Sequence, residues 1–145
     1  MEIKNTKKIA EKEEKKDILT LTEDEKFKMT EDLIVNGFCT YGFNIGKLNI
    51  IVKSLTYDEQ KELTRKLSSL PKVILDEGVE RDKTISEYNL DASELLILSQ
   101  LESLNGKPVD TLGKMSKAVV SKISNSIRLF NSTVDELITV DNIKN

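Results

Sequence analysis

The chain is 145 residues long, with 22 basic and 25 acidic side chains and a formal net charge of −3. That is the length of one domain, without the positive excess of a nucleic-acid footprint. Histidine is absent, which removes the commonest general base, the usual partner of a serine or cysteine nucleophile and the commonest transition-metal ligand.

Tryptophan is absent too, and three tyrosines and four phenylalanines are too few for a base-stacking surface. No apolar run approaches the roughly 18 residues that span a bilayer, and the start of the sequence lacks a secretory apolar segment, so a cytosolic protein is expected. The single cysteine, Cys39, excludes an intrachain disulfide and reads as a small buried hydrophobe among Phe38, Tyr41 and Phe43.

Residues 1–17 carry eleven charged side chains of both signs and few apolar ones, so 1–20 reads as a charged leader, flexible or helical. A single small domain is expected over 21–145. Thr22-Glu23-Asp24-Glu25 is a helix cap with acids in the first turn, and it predicts a short helix over about 23–32 with Phe27 as its main apolar residue, packed near Leu19 or Leu33. Leu33-Ile34-Val35 before Asn36-Gly37 suggests a short strand and a turn.

Phe38 to Asn44 and Leu48 to Val52 are rich in aromatic and β-branched residues, and Gly46 stands between them at a tight reversal, so a β-hairpin is expected over about 38–53. Alternation places Cys39, Tyr41 and Phe43 on one face of the first strand and Leu48, Ile50 and Val52 on one face of the second. Thr56 stands three residues before Glu59, the spacing of a capping box, and Leu63, Leu67 and Leu70 follow at helical spacing before Pro71, predicting a helix over 56–70.

Val73-Ile74-Leu75 is compatible with a strand or a helical turn, and Asp76 to Asp82 reads as a solvated connection whose spacing is wrong for a calcium loop. Tyr88, Ala92, Leu95, Leu96, Leu98, Leu101 and Leu104 predict a broad-faced core helix over 87–105, ended by Asn105-Gly106 as a left-handed cap and by Pro108. Leu112, Met115, Val119, Ile123, Ile127 and Phe130 predict an amphipathic helix over 112–131. A break at Asn131-Ser132 would separate it from a short helix over 133–139. The fold class expected is α+β and mainly α: a small N-terminal β-hairpin followed by a bundle of three to four helices.

No glycine-rich phosphate loop is present. Glu59, Glu62, Asp76, Glu77, Glu80 and Asp82 lie in segments expected to face water, and Lys61, Arg65 and Lys66 form a small basic patch offset by nearby acids. The sequence therefore supports no catalytic, cofactor-binding or metal-ligating residue, and no nucleic-acid or membrane partner.

Two stretches carry a resemblance. Gly46-Lys47-Leu48-Asn49-Ile50-Ile51-Val52-Lys53-Ser54-Leu55-Thr56-Tyr57-Asp58-Glu59 and Leu96-Ile97-Leu98-Ser99-Gln100-Leu101-Glu102-Ser103-Leu104-Asn105-Gly106-Lys107-Pro108-Val109 resemble the small assembly chaperones of tailed bacteriophages, including tail assembly chaperones and the baseplate-hub chaperones of contractile tails. In such proteins a hairpin strand runs into a leucine, a threonine and an acid that open the first helix, and a later helix ends in an Asn-Gly-x-Pro-Val turn. The resemblance implies a non-enzymatic protein of the host cytoplasm that binds apolar segments of a tape-measure or baseplate-hub type tail protein. The alternative it allows is a structural subunit of a phage tail or baseplate retained in the virion.

A homo-oligomer is left open. Leu95, Leu98, Leu101, Met115, Val119 and Ile123 are the candidate partner-binding residues, on a groove between the two long helices. They are equally the candidate core.

Overall fold

Ile123, Ile127, Phe130, Val134 and Leu137 recur at alternating steps of four and three residues, and all five are buried on one face of one continuous helix. The computed structural model describes residues 18–70 and 79–139. Within them the elements are α1 (Glu23–Val35), β1 (Thr40–Ile45), β2 (Leu48–Lys53), α2 (Tyr57–Ser68), α3 (Val79–Gln100), β3 (Leu101–Leu104) and α4 (Lys117–Leu137). The class is α+β and mainly α, as expected. The hairpin is not N-terminal, because α1 precedes it.

The sheet is antiparallel with strand order β1-β2-β3. Tyr41 faces Val52, Phe43 faces Ile50 and Ile45 faces Leu48, so the side predicted to be buried is the side that packs. Gly46, at φ 59°, takes the first turn position that a two-residue reversal reserves for glycine. Ile50 and Val52 are fully buried and join the α4 stripe, Met29, Cys39, Ile97, Leu101 and Leu112 in one core. The ring of Tyr41 stacks on Phe130, with centroids 6.2 Å apart.

Both predicted Thr caps form full capping boxes: Thr22 with Glu25, and Thr56 with Glu59. The first helix is longer than expected and absorbs Leu33-Ile34-Val35, which form no strand. Its buried residue is Met29, while Phe27 points to solvent with 71 % of its surface exposed. The two Asn-Gly pairs exchange the roles assigned to them. Asn36 is the C-cap of α1 in ordinary right-handed geometry and only Gly37 is left-handed, with φ 84°, as a helix end requires. Asn105 and Gly106 are both left-handed, at φ 51° and 82°, which is the requirement of a type I′ hairpin turn. Leu104 and Lys107 accordingly exchange backbone hydrogen bonds of 2.8 and 3.0 Å across that turn.

The core helix predicted over 87–105 therefore begins earlier, at Val79, and ends at Gln100, where the chain passes directly into β3. Leu101 and Leu104 suit a helix or a strand by their spacing, and the open edge of β2 decides the outcome by pairing Ile50 with Leu104 and Ile51 with Ser103. A register shift next to the Val52–Leu101 pair leaves Glu102 as the extra, exposed residue of a bulge. Residues 79–82, expected to be a connection, are helical. The helix predicted over 112–131 starts five residues later, capped by Ser116, and no break occurs at Asn131-Ser132 because the buried stripe continues in phase to Leu137. The expected helix over 133–139 is its last turns.

Leu19 and Leu21 pack against the core, and the Leu19 amide donates to Thr133 Oγ1 at 2.7 Å, so Leu19, assigned to the leader, joins the folded body. Residues 1–17 of the leader, Val73-Ile74-Leu75 and Asp76 to Gly78 lie outside the described residues. Among the described residues no helix is long and apolar enough to cross a membrane.

Phe130→Ala empties the centre of the core and should lower the unfolding free energy by about 3–5 kcal/mol, whereas Phe27→Ala should change it by less than about 0.5 kcal/mol; urea titration of the two variants separates the assignments. Cys39 is 1 % exposed; burial pushes its thiol up, the Ser54 hydroxyl partly opposes this, and Asp32 adds to the rise. A disulfide reagent at neutral pH should leave Cys39 unmodified in the native protein and react with it in urea.

Candidate functional site

Leu63 is buried but stands outside the main core, on the face of α2 that lies against α3. Between these two helices an open cleft of about 390 Å³ is lined by Leu55, Leu63, Leu95 and Leu98, with Glu59, Glu62, Lys66, Ser99 and Asp110 completing its wall. Its four leucines come from three places in the chain: the segment before α2, α2 itself and the second half of α3.

The α2 wall is anchored at its N-terminus. Thr56 Oγ1 accepts from the Glu59 amide at 3.2 Å and Glu59 Oε1 accepts from the Thr56 amide at 3.0 Å. The other Glu59 oxygen takes the Lys53 ammonium, which also lies 4.9 Å from the centre of the Phe38 ring. The last residue of β2 thus holds the first turn of α2. The carbonyl of the same Lys53 accepts from Gln100 Nε2 at 3.0 Å, and the Gln100 amide pairs reciprocally with Asn131 at 2.6 and 2.9 Å. This clasp joins β2, the end of α3 and the middle of α4. The third side of the cleft is set by Glu94, whose carboxylate accepts from the Leu112 amide at 3.1 Å and ties the segment carrying Asp110 to α3.

Burial pushes the Glu59 carboxyl up, but the Lys53 hydrogen bond and charge and the two Thr56 contacts outweigh it and hold the group below its ordinary value. Glu62 is paired with Arg65. Two of the acids that line the cleft are therefore each paired with a neighbouring cation. Among the described residues no group of three acids or cysteines is placed to hold a metal ion.

The six partner-binding candidates separate into two sets. Leu95 and Leu98 line the cleft. Leu101 and Ile123 belong to the core, at 6 % and 0 % exposure, and Met115 and Val119, together with Leu98 itself, are half-buried against it. The cleft's other wall is α2, whose Leu63 was legible as a helix face without any sign of what it meets. Asp110 and Ser99 had no local signal, since only the Glu94 and Gln100 tethers bring them to this place. No protein-family model, curated protein or solved structure matches the chain.

The lowered Glu59 value has a defined sign in stability. A carboxyl that titrates lower in the folded state contributes above its unfolded value and loses that contribution as the pH falls through the folded one. Glu59→Gln should thus lower the urea midpoint at pH 7, and its difference from the parent should shrink below about pH 4.

Proposed function

We propose that this protein is a non-enzymatic assembly chaperone of a tailed bacteriophage. It holds an apolar helical segment of a tape-measure or baseplate-hub type tail protein in the cleft between α2 and α3, in the host cytoplasm, until that component assembles. The observation that carries the reading is the cleft itself: four leucines beside charged side chains, open to solvent between α2 and α3. This is the chemistry of helix-in-groove recognition, in which an amphipathic segment lays its apolar face into a groove and leaves its polar face in water. Leu96 on α3 is 46 % exposed and extends the apolar character of that helix beyond the cleft. Of the two stretches that resemble the phage chaperones, Gly46 to Glu59 contributes Leu55 and Glu59 to the cleft and Leu96 to Val109 contributes Leu98 and Ser99.

Tagged protein at native expression in phage-producing cells should capture a tape-measure or hub-type protein, and mass spectrometry of purified particles should find no copy of the chain. Leu95→Glu, which alters a cleft residue outside the core cluster, should weaken that capture by about tenfold or more, the loss expected when one leucine contact is removed. Presence of the chain in particles at a fixed copy number would overturn the reading in favour of a structural subunit of the tail or baseplate.

A further inference from the structure

The outer edge of β1 has no partner among the described residues. Its phase follows from two hydrogen bonds. The Ser54 amide donates to the Cys39 carbonyl at 3.0 Å, so Cys39, and with it Tyr41, Phe43 and Ile45, turns its backbone toward β2. The Asn105 amide donates to the Asn49 carbonyl at 2.7 Å, so Asn49 turns toward β3 and its opposite number Asn44 turns away from the sheet. Thr40, Gly42 and Asn44 therefore present their N–H and C=O groups outward.

Edge strands are commonly protected by a lysine, a proline, an inward charge or a bulge. Thr40-Tyr41-Gly42-Phe43-Asn44-Ile45 has none of these, and its pairing with β2 is regular throughout. The strand is also close to its own mirror: a polar residue, an aromatic, glycine, an aromatic and a polar residue.

We infer that β1 is a self-association edge, at which a second copy of this chain adds its own β1 antiparallel about a two-fold axis through Gly42. In that register Gly42 faces Gly42 of the second copy, and Thr40 faces Asn44. Each of these three outward pairs exchanges two backbone hydrogen bonds. Tyr41 meets Phe43 of the second copy at the closer, non-hydrogen-bonded positions, extending the Tyr41–Phe43 stack already present at 6.1 Å between centroids. No like charges oppose each other in the paired segment, and the two three-stranded sheets become one of six strands. The surface is distinct from the cleft and does not depend on the chaperone reading.

Sedimentation equilibrium of the full chain, up to about 1 mM, where even a millimolar association registers, should give a mass rising toward twice 16.4 kDa. Amides of Thr40, Gly42 and Asn44 should gain hydrogen-exchange protection with concentration. A Cβ at Gly42 meets only the Ile50 carbonyl and Ile51, at the ordinary contact distances of 3.8 and 3.9 Å, so Gly42→Lys and Gly42→Glu are expected to fold. Each alone should be monomeric through like charges directly opposed, and an equimolar mixture should dimerise again. A parent monomeric at every concentration overturns the inference and leaves the edge to an extended segment of another protein. A dimer unaffected by Gly42→Lys, or a mixture that stays monomeric, overturns it equally.

Discussion

The burial of one face of α4 against the hairpin is the interaction on which the rest of the structure depends. Phe130, Ile123, Ile50 and Val52 have no exposed surface, and at roughly 1.5–3 kcal/mol for each large apolar side chain removed from water they are the main source of stability in the described residues. The other elements attach to this centre. Met29 brings α1 onto it, Ile97 brings α3, and Leu112 brings the segment before α4. Only α2 rests elsewhere, through Leu63 on α3, which is why a space remains beside it.

Polar tethers, not further core, set the position of α2. Lys53 serves in three ways at once: its ammonium binds Glu59 and lies over the Phe38 ring, and its carbonyl accepts from Gln100. Hydrogen bonds of this kind contribute about 1 kcal/mol each, well below the core terms. Their weight is in direction, since Gln100 binds Lys53 and Asn131 together and so fixes one arrangement of three elements. The cleft is the gap left when α2 is aligned by its N-terminal turn and α3 by its C-terminal one.

Local chemistry made the hairpin, its inward face, the Thr22 cap and the Thr56–Glu59 capping box legible from residues alone, because the bonds involved join positions close in sequence. Where the reading failed, a distant partner made the choice. Asn-Gly announces left-handed backbone, yet whether one residue or both adopt it depends on the elements on either side, and only the second pair had a strand edge to complete. Leu101 fits a helix face until β2 is seen to lack a neighbour on that side. Asn131 resembles a helix breaker, but it is exposed at the rim of α4 and Gln100 takes up its side-chain amide. The cleft was half legible for the same reason: Leu95 and Leu98 carry the apolar signal, while the identity of the opposing wall depends on a Lys53–Glu59 contact that no periodicity encodes.

The direct passage from Gln100 to Leu101 leaves no slack between helix and sheet. A connecting loop would let α3 tilt freely, whereas here any change in its angle must be taken up by the ladder of β3 or by the extra residue at Glu102. The bulge at Glu102 is thus a place where such a change can be absorbed. The width of the cleft is geared to the register of the sheet, and a load placed on α3 is delivered to β2, the strand that also supports β1.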